Sequence, residues 1–493
     1  MKKRGFLIVF FVLGCLSMSA QTFDEYRRHA LENFSSYKSD AQRRFSEYRE
    51  KANAEYVEFI RQAWERYESE RAVLKPKEEP YVPPVVLPQL DDDIDIPYEE
   101  IDVPEIDLGN LDDGPRMPVF PIPAPVQTPN RPSVSFVFYG TDCSVGFDVK
   151  DKVFLNGIDE DAVADMWEAL SSLSYDNVLS DCIAIRDRLE LCDWGYYMLV
   201  RKLSEEIYGK GDETAVLTAY VMSNTGYKLK LARLNSGSIC LLVATADGIY
   251  NYPRVKIDGE YFYILDAVDC RSLHIMKNDF PNTTALNLSI NRQQNLKYTP
   301  SHGRTLMSKA YTDVRVTVKT NRNLMDFYDN YPCPYRKDEP GTSWVYYANA
   351  PLDPSVTAVL YPLLRASVSG KSQKDAANIL INFVQTAFEY KTDGDYWGYE
   401  RPLFPDETLF YPYSDCEDRA ILFSRLVRDI MGLDVVFLSY EGHLATAVAF
   451  DEDISGDHIK VRGRKYLVCD PTYINAPIGM AMPNLTLKKV VKL

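Results

Sequence analysis

The residues of this chain best suited to chemistry are a cysteine, a histidine and an aspartate in that order, Cys416, His443 and Asp470. Cys416 lies in Ser414-Asp415-Cys416-Glu417-Asp418, where Ser414 and Glu417 have capping-box spacing and predict a helix that starts just before the cysteine. A thiol at the positive end of a helix dipole, with an imidazolium beside it, ionises below its ordinary pKa of about 8.5. The carboxylates of Asp415, Glu417 and Asp418 oppose that shift, so His443 has to supply much of it. In such a set the thiolate attacks a carbonyl, the imidazole moves the proton and the aspartate fixes the imidazole tautomer. A single cysteine is usually structural, and so is any one of the five histidines. The ordered set, each member at the end of an element, is what points to catalysis.

The elements that must position these residues follow from apolar periodicity. A helix at about 374–390 is followed by a loop and a second helix over 415–431, closed by Gly432. Three strand-like runs come next, 435–439, 444–450 and 465–469, so that His443 opens the second and Asp470 ends the third. The same pattern occurs earlier, with helices at about 194–208 and 213–225, Gly226, and runs at 228–234, 239–245 and 261–265. Asp266 falls where Asp470 does, and Gly259 and Gly463 each precede their aspartate by seven residues. A duplication accounts for this, and helices followed by antiparallel strands predict an α+β fold. The first copy has Gly211 or Asp212 at the place of Cys416 and Ser238 at that of His443, so it cannot run thiol chemistry.

Tyr413-Ser414-Asp415-Cys416-Glu417-Asp418-Arg419-Ala420, the Gly442-His443 step and Tyr466-Leu467-Val468-Cys469-Asp470-Pro471 resemble transglutaminase-like cysteine peptidases, over about residues 350–478. The resemblance implies two tandem transglutaminase-like, papain-like α+β domains, a degenerate one over 133–295 and a catalytic one over 296–493. It also implies acyl transfer through a thioester, to water or to an amine, with no metal and no cofactor. Some members support the oxyanion with a side chain upstream of the nucleophile; Gln385 and Trp397 are the candidates here, each with a plainer role as a helix polar face or as core. The expected function is thiol-dependent hydrolysis of a peptide or amide bond in a peptide or protein substrate. Two rivals stand beside it, a protein cross-linking enzyme and an envelope scaffold with a vestigial triad.

The rest of the chain bears on address and assembly. Lys2, Lys3 and Arg4, an apolar run from Phe6 to Leu13 and small residues up to Ala20 form a signal peptide over 1–20. Val12-Leu13-Gly14-Cys15 resembles a lipobox, which would leave a lipid anchor on Cys15, while Ala20-Gln21 is an ordinary cleavage site. Both place the mature chain in the periplasm or envelope. In segment 21–74, Phe23, Phe34, Phe45, Tyr56 and Tyr67 recur every eleven residues, with Tyr26, Tyr37, Tyr48 and Phe59 three behind and Ala30, Ala41, Ala52 and Ala63 seven behind. That period predicts one helix over 22–74 with a continuous face, open either to homo-oligomerisation as a right-handed coiled coil or to packing on the globular part. Residues 75–132 hold fourteen prolines, and thirteen acidic residues lie between Glu78 and Asp113, so this segment reads as an extended linker. It carries nearly all of the net charge of −16; the remainder is close to neutral and gives no footing for nucleic acid. The nine cysteines show no metal-binding spacing; disulfides remain open, although a catalytic thiol must stay unpaired.

Overall fold

The computed structural model describes residues 27, 28, 36, 40, 43, 44, 47–75, 85, 86, 100, 101, 105, 106, 131–172, 175–266, 270–337 and 343–493. The expected signal peptide, with Cys15 and Ala20, lies outside them. No helix among the described residues is long and apolar enough to cross a membrane.

The protein is a mixed α+β structure in which one strand order occurs twice. In the first sheet, Arg254–Ile257, Glu260–Ile264, Ile239–Ala244, Leu229–Leu234 and Ser272–Ile275 lie side by side, all antiparallel. In the second, His458–Val461, Arg464–Cys469, His443–Val448, Val435–Tyr440 and Leu487–Lys492 take the same five places. Each set follows a helix, Asp212–Asn224 in one case and Cys416–Met431 in the other. The matched glycines Gly259 and Gly463 have one local cause. Asp258-Gly259 and Arg462-Gly463 both form two-residue hairpin loops with positive φ at each position, the mirror-image turn whose twist suits antiparallel strands.

The strands read as apolar runs because both faces of each sheet are covered. Val436, Leu438 and Tyr440 join one cluster with Ala445, Ala447 and Val468, while Val435 and Leu467 on the other face pack with Leu380, Phe383, Leu422 and Leu426 of the helices. A larger core runs from Leu199, Val216 and Leu231 of the first copy through Tyr328, Tyr346 and Phe404 to Ala420, Ile421 and Leu444 of the second. The boundary drawn at 295/296 therefore falls in a connection that crosses one continuous core.

Two expectations for the N-terminal part need correction. The helix does not reach residue 74. It ends at Ile60, and Glu65–Glu68 is an edge strand on Ser272–Ile275. Its buried face is Arg49, Ala52, Asn53, Tyr56, Val57 and Ile60, whereas Tyr48 and Phe59 of the eleven-residue pattern are exposed. Tyr56 packs on Trp167 and Phe280 at 4.9 and 5.0 Å, and Asn53 accepts from the Trp167 indole at 2.9 Å. The apolar stripe is covered by the protein's own first copy, which leaves that face no coiled-coil partner to seek. Residues 75–132 are likewise not a free spacer throughout. Glu100–Ile101 and Glu105–Ile106 add parallel strands to the two edges of the second sheet, and the Ile474 N–H donates to the Val85 carbonyl at 2.9 Å. Extended, proline-interrupted chain suits sheet edges, where only one side of the backbone has to be paired.

Candidate active site

Cys416 is the first residue of helix Cys416–Met431. The cap differs by one residue from the sequence expectation: Asp415 is the N-cap, and Asp418, not Glu417, reaches back to the Asp415 N–H at 3.3 Å. Ser414 accepts instead from Arg419 Nε at 3.2 Å. Buried Arg419 also donates to the Gln385 and Phe388 carbonyls at 3.2 and 3.0 Å, tying the end of helix Gln373–Ala387 to the start of the cysteine helix. The apolar side of that helix, Ala420, Ile421, Phe423, Leu426 and Val427, is fully buried and fixes where its first turn points.

His443 opens strand His443–Val448 because the Glu441-Gly442 turn, with Gly442 at φ 67°, folds the chain back from Tyr440. Its ring is buried. Nε2 meets Asp470 Oδ2 at 2.8 Å, and Nδ1 has no partner. Asp470 follows Cys469, which pairs with Thr446 on the same neighbouring strand. Its other oxygen accepts from the Thr472 and Tyr473 N–H groups at 2.9 and 3.1 Å, so the carboxylate is held from both sides. The Leu444 N–H, one residue beyond His443, hydrogen-bonds the Cys416 sulfur. The structure thus brings all three predicted residues to one place. Cys416 is half-buried, the other seven described cysteines are buried, and all eight are unbridged.

The charge around the sulfur runs against the sequence expectation of a ready thiolate. Burial, then the carboxylates of Glu417 and Asp415, push the Cys416 thiol well above its usual range, and the Leu444 N–H only partly offsets them. The thiol donates to Glu417 Oε2 at 3.1 Å. Burial and the neighbouring Asp415 raise Glu417 to about 7, and burial with like charge also raises Asp393, Asp415 and Asp418. Ligand atoms of Asp393, Glu400 and Glu417, and of Asp393, Asp415 and Asp418, lie within 4.8 Å of one another. Such a set keeps its protons or takes up a hard cation; it does not stay fully ionised. Sequence reading found the three acids beside Cys416 but not Asp393 and Glu400, which only the loop before helix Pro405–Phe410 brings in.

Neither expected oxyanion donor is available. Gln385 spends its amide N–H groups on the Asp470, Tyr473 and Ala476 carbonyls at 3.0, 2.7 and 3.0 Å, and so anchors the loop that carries Asp470. Trp397 caps the short helix Asp393–Tyr396; Arg401 covers its ring at 4.2 Å, and Tyr411 packs edge-on at 4.9 Å. The upstream side chain that does approach the sulfur is Tyr390, which sequence reasoning missed because nothing distinguishes it among 34 tyrosines.

The first copy shows what the same framework looks like without the triad. Asp212 is the first residue of its helix, and its Oδ1 accepts from the Ile239 N–H at 2.9 Å, as the sulfur does from Leu444. That settles the equivalence of Asp212 with Cys416, and of Ser238 with His443. Asp266 forms an ion pair with Arg201. Comparison with protein-family models, with curated proteins and with solved structures gives no match for this chain.

Proposed function

We propose that the chain is an exported thiol-dependent acyl-transfer enzyme of transglutaminase-like architecture, which hydrolyses peptide or amide bonds at Cys416. One observation carries the reading. A buried imidazole commits Nε2 to Asp470 and leaves Nδ1 unpaired, one residue from the N–H that meets the cysteine sulfur. A histidine held this way can take a proton through Nδ1 while Asp470 stabilises the imidazolium through Nε2. Because the carboxylates favour the neutral thiol, the proton leaves Cys416 as the sulfur attacks rather than beforehand. The new C–S bond gives a tetrahedral oxyanion. Its collapse expels the amine, which takes the proton from His443, and water activated by the same imidazole then cleaves the thioester.

The same carboxylates favour a second reading, in which the thiol stays inert and the protein is a scaffold. An activated ester decides between them. Incubation with p-nitrophenyl acetate should leave one acetyl group on Cys416, seen by intact mass and peptide mapping. The adduct should vanish in Cys416→Ala and form far more slowly in His443→Ala. A wild-type protein that carries no adduct on Cys416 belongs to the scaffold reading.

A further inference from the structure

An acyl-transfer site needs a donor for the oxyanion, and here both upstream candidates are committed elsewhere. Residue Tyr390 ends the short strand Glu389–Tyr390, which pairs in parallel with Tyr413–Ser414; Tyr390 lies opposite Ser414, two residues before the nucleophile. The Arg419 guanidinium sits over its ring at 5.2 Å, and that guanidinium is itself fixed by Ser414, Gln385 and Phe388. The ring therefore has a rigid support on one face, and the side chain is half-buried, in reach of both the site and solvent. Its hydroxyl is close enough to Cys416, Asp415 and Glu417 for their charges to oppose its ionisation, after burial, so that it stays a neutral O–H donor.

Resting on the acyl-transfer reading above, we propose that Tyr390 is a further catalytic residue, whose hydroxyl donates a hydrogen bond to the oxyanion formed when Cys416 attacks the substrate carbonyl. In that step the sulfur lone pair forms the C–S bond, the carbonyl π pair moves to oxygen, and the thiol proton goes to His443 Nδ1. The phenol keeps its proton and only donates, while the negative charge on oxygen appears and then returns to the C=O bond as the leaving group departs. The helix dipole at Cys416 favours the same charge. One well-placed neutral donor of this kind is worth about 10²–10³ in rate.

Tyr390→Phe keeps the ring under Arg419 and removes only the hydroxyl. Two reactions of the same sulfur separate the roles, because acetylation by p-nitrophenyl acetate passes through an oxyanion and alkylation by iodoacetamide does not. Both are measured on the full-length protein at one alkaline pH. The variant should acetylate about 10²-fold more slowly or worse, with alkylation of Cys416 within about threefold of wild type, which also shows that the site is still folded. If both reactions are unchanged, Tyr390 is not an oxyanion donor and the triad reading stands alone. If both fall together, Tyr390 supports the thiol or the local fold, and the proposal is equally overturned. A wild-type protein that alkylates but never acetylates removes the acyl-transfer reading and this proposal with it.

Discussion

The two copies share a strand order, a pair of matching hairpin turns and a helix whose first residue accepts a strand N–H, yet they differ at every position that chemistry would use. In the first copy Asp212 meets the Ile239 N–H, and Asp266, about a quarter exposed, is satisfied by Arg201. In the second, a thiol takes the place of Asp212, and Asp470, 1% exposed, faces an imidazole. The difference bears on whether Cys416 has a merely architectural role. Closing the helix start onto the strand needs an acceptor, and the first copy shows that a carboxylate suffices. A half-buried thiol amid five carboxyl groups is a poor substitute for that purpose alone. Its retention beside a held imidazole is what acyl transfer would require.

The largest effect that could break this comparison is at the two aspartates. Asp470→Ala removes the acceptor of the buried His443 Nε2 and frees the tautomer, so turnover should fall about 10⁴-fold. Asp266→Ala breaks a partly exposed ion pair with Arg201, and turnover should remain within about twofold of wild type. Steady-state hydrolysis of an amide or ester substrate measures both. Equal losses would mean that the first copy takes part in the reaction.

Much of this was legible because the relevant signals are local. The helices at 193–208, 212–224, 373–387 and 416–431 and the three central strands of each sheet lie within a few residues of where apolar periodicity, Gly432 and the Gly-containing turns put them. The triad was legible because each member sits at an element end that the pattern marks. What stayed hidden depends on tertiary partners. The outer strands Ser272–Ile275 and Leu487–Lys492 are short and return from a distance, and the eleven-residue aromatic pattern gave no sign that Trp167 and Phe280 would cover its Tyr56 face. The thiol's environment was misjudged for a similar reason. The helix dipole could be read from sequence, but Asp393 and Glu400 are brought to the cluster by a loop.

A second contrast lies on the N-terminal helix and concerns stability. Tyr56 is buried between two aromatic rings, so Tyr56→Ala should cost about 3–5 kcal/mol in denaturant unfolding. Tyr48, half-exposed on the same helix, should tolerate the same change within about 0.5 kcal/mol, with no change in sedimentation. A Tyr48→Ala protein that shifts from oligomer to monomer would restore the association reading, on the helix face that the globular part leaves open.

The smallest effect is expected at Cys469, and it sharpens the assignment of the nucleophile. Cys469 adjoins Asp470 in sequence, yet it packs with Leu467, Leu422 and Phe423 in the core beneath the sheet, while Val468 points to the opposite cluster. Burial, then the Asp470 charge, holds its thiol well above the usual range, as burial and Glu417 do for Cys416. The two differ in access, since Cys416 is half-buried and Cys469 is not exposed at all. Iodoacetamide should therefore label Cys416 alone, and Cys469→Ala should leave both the rate and the site of labelling unchanged. Because the Cys416 pKa is raised, the thiolate is the minor form at neutral pH and its fraction grows about tenfold per pH unit up to that pKa. The labelling rate should climb with that slope from pH 6 to 9 without levelling off near 7. A plateau at neutral pH would show that His443 overcomes the carboxylates and stores a ready thiolate. Label found on Cys469 would move the reactive thiol to the wrong side of the sheet and end the triad assignment.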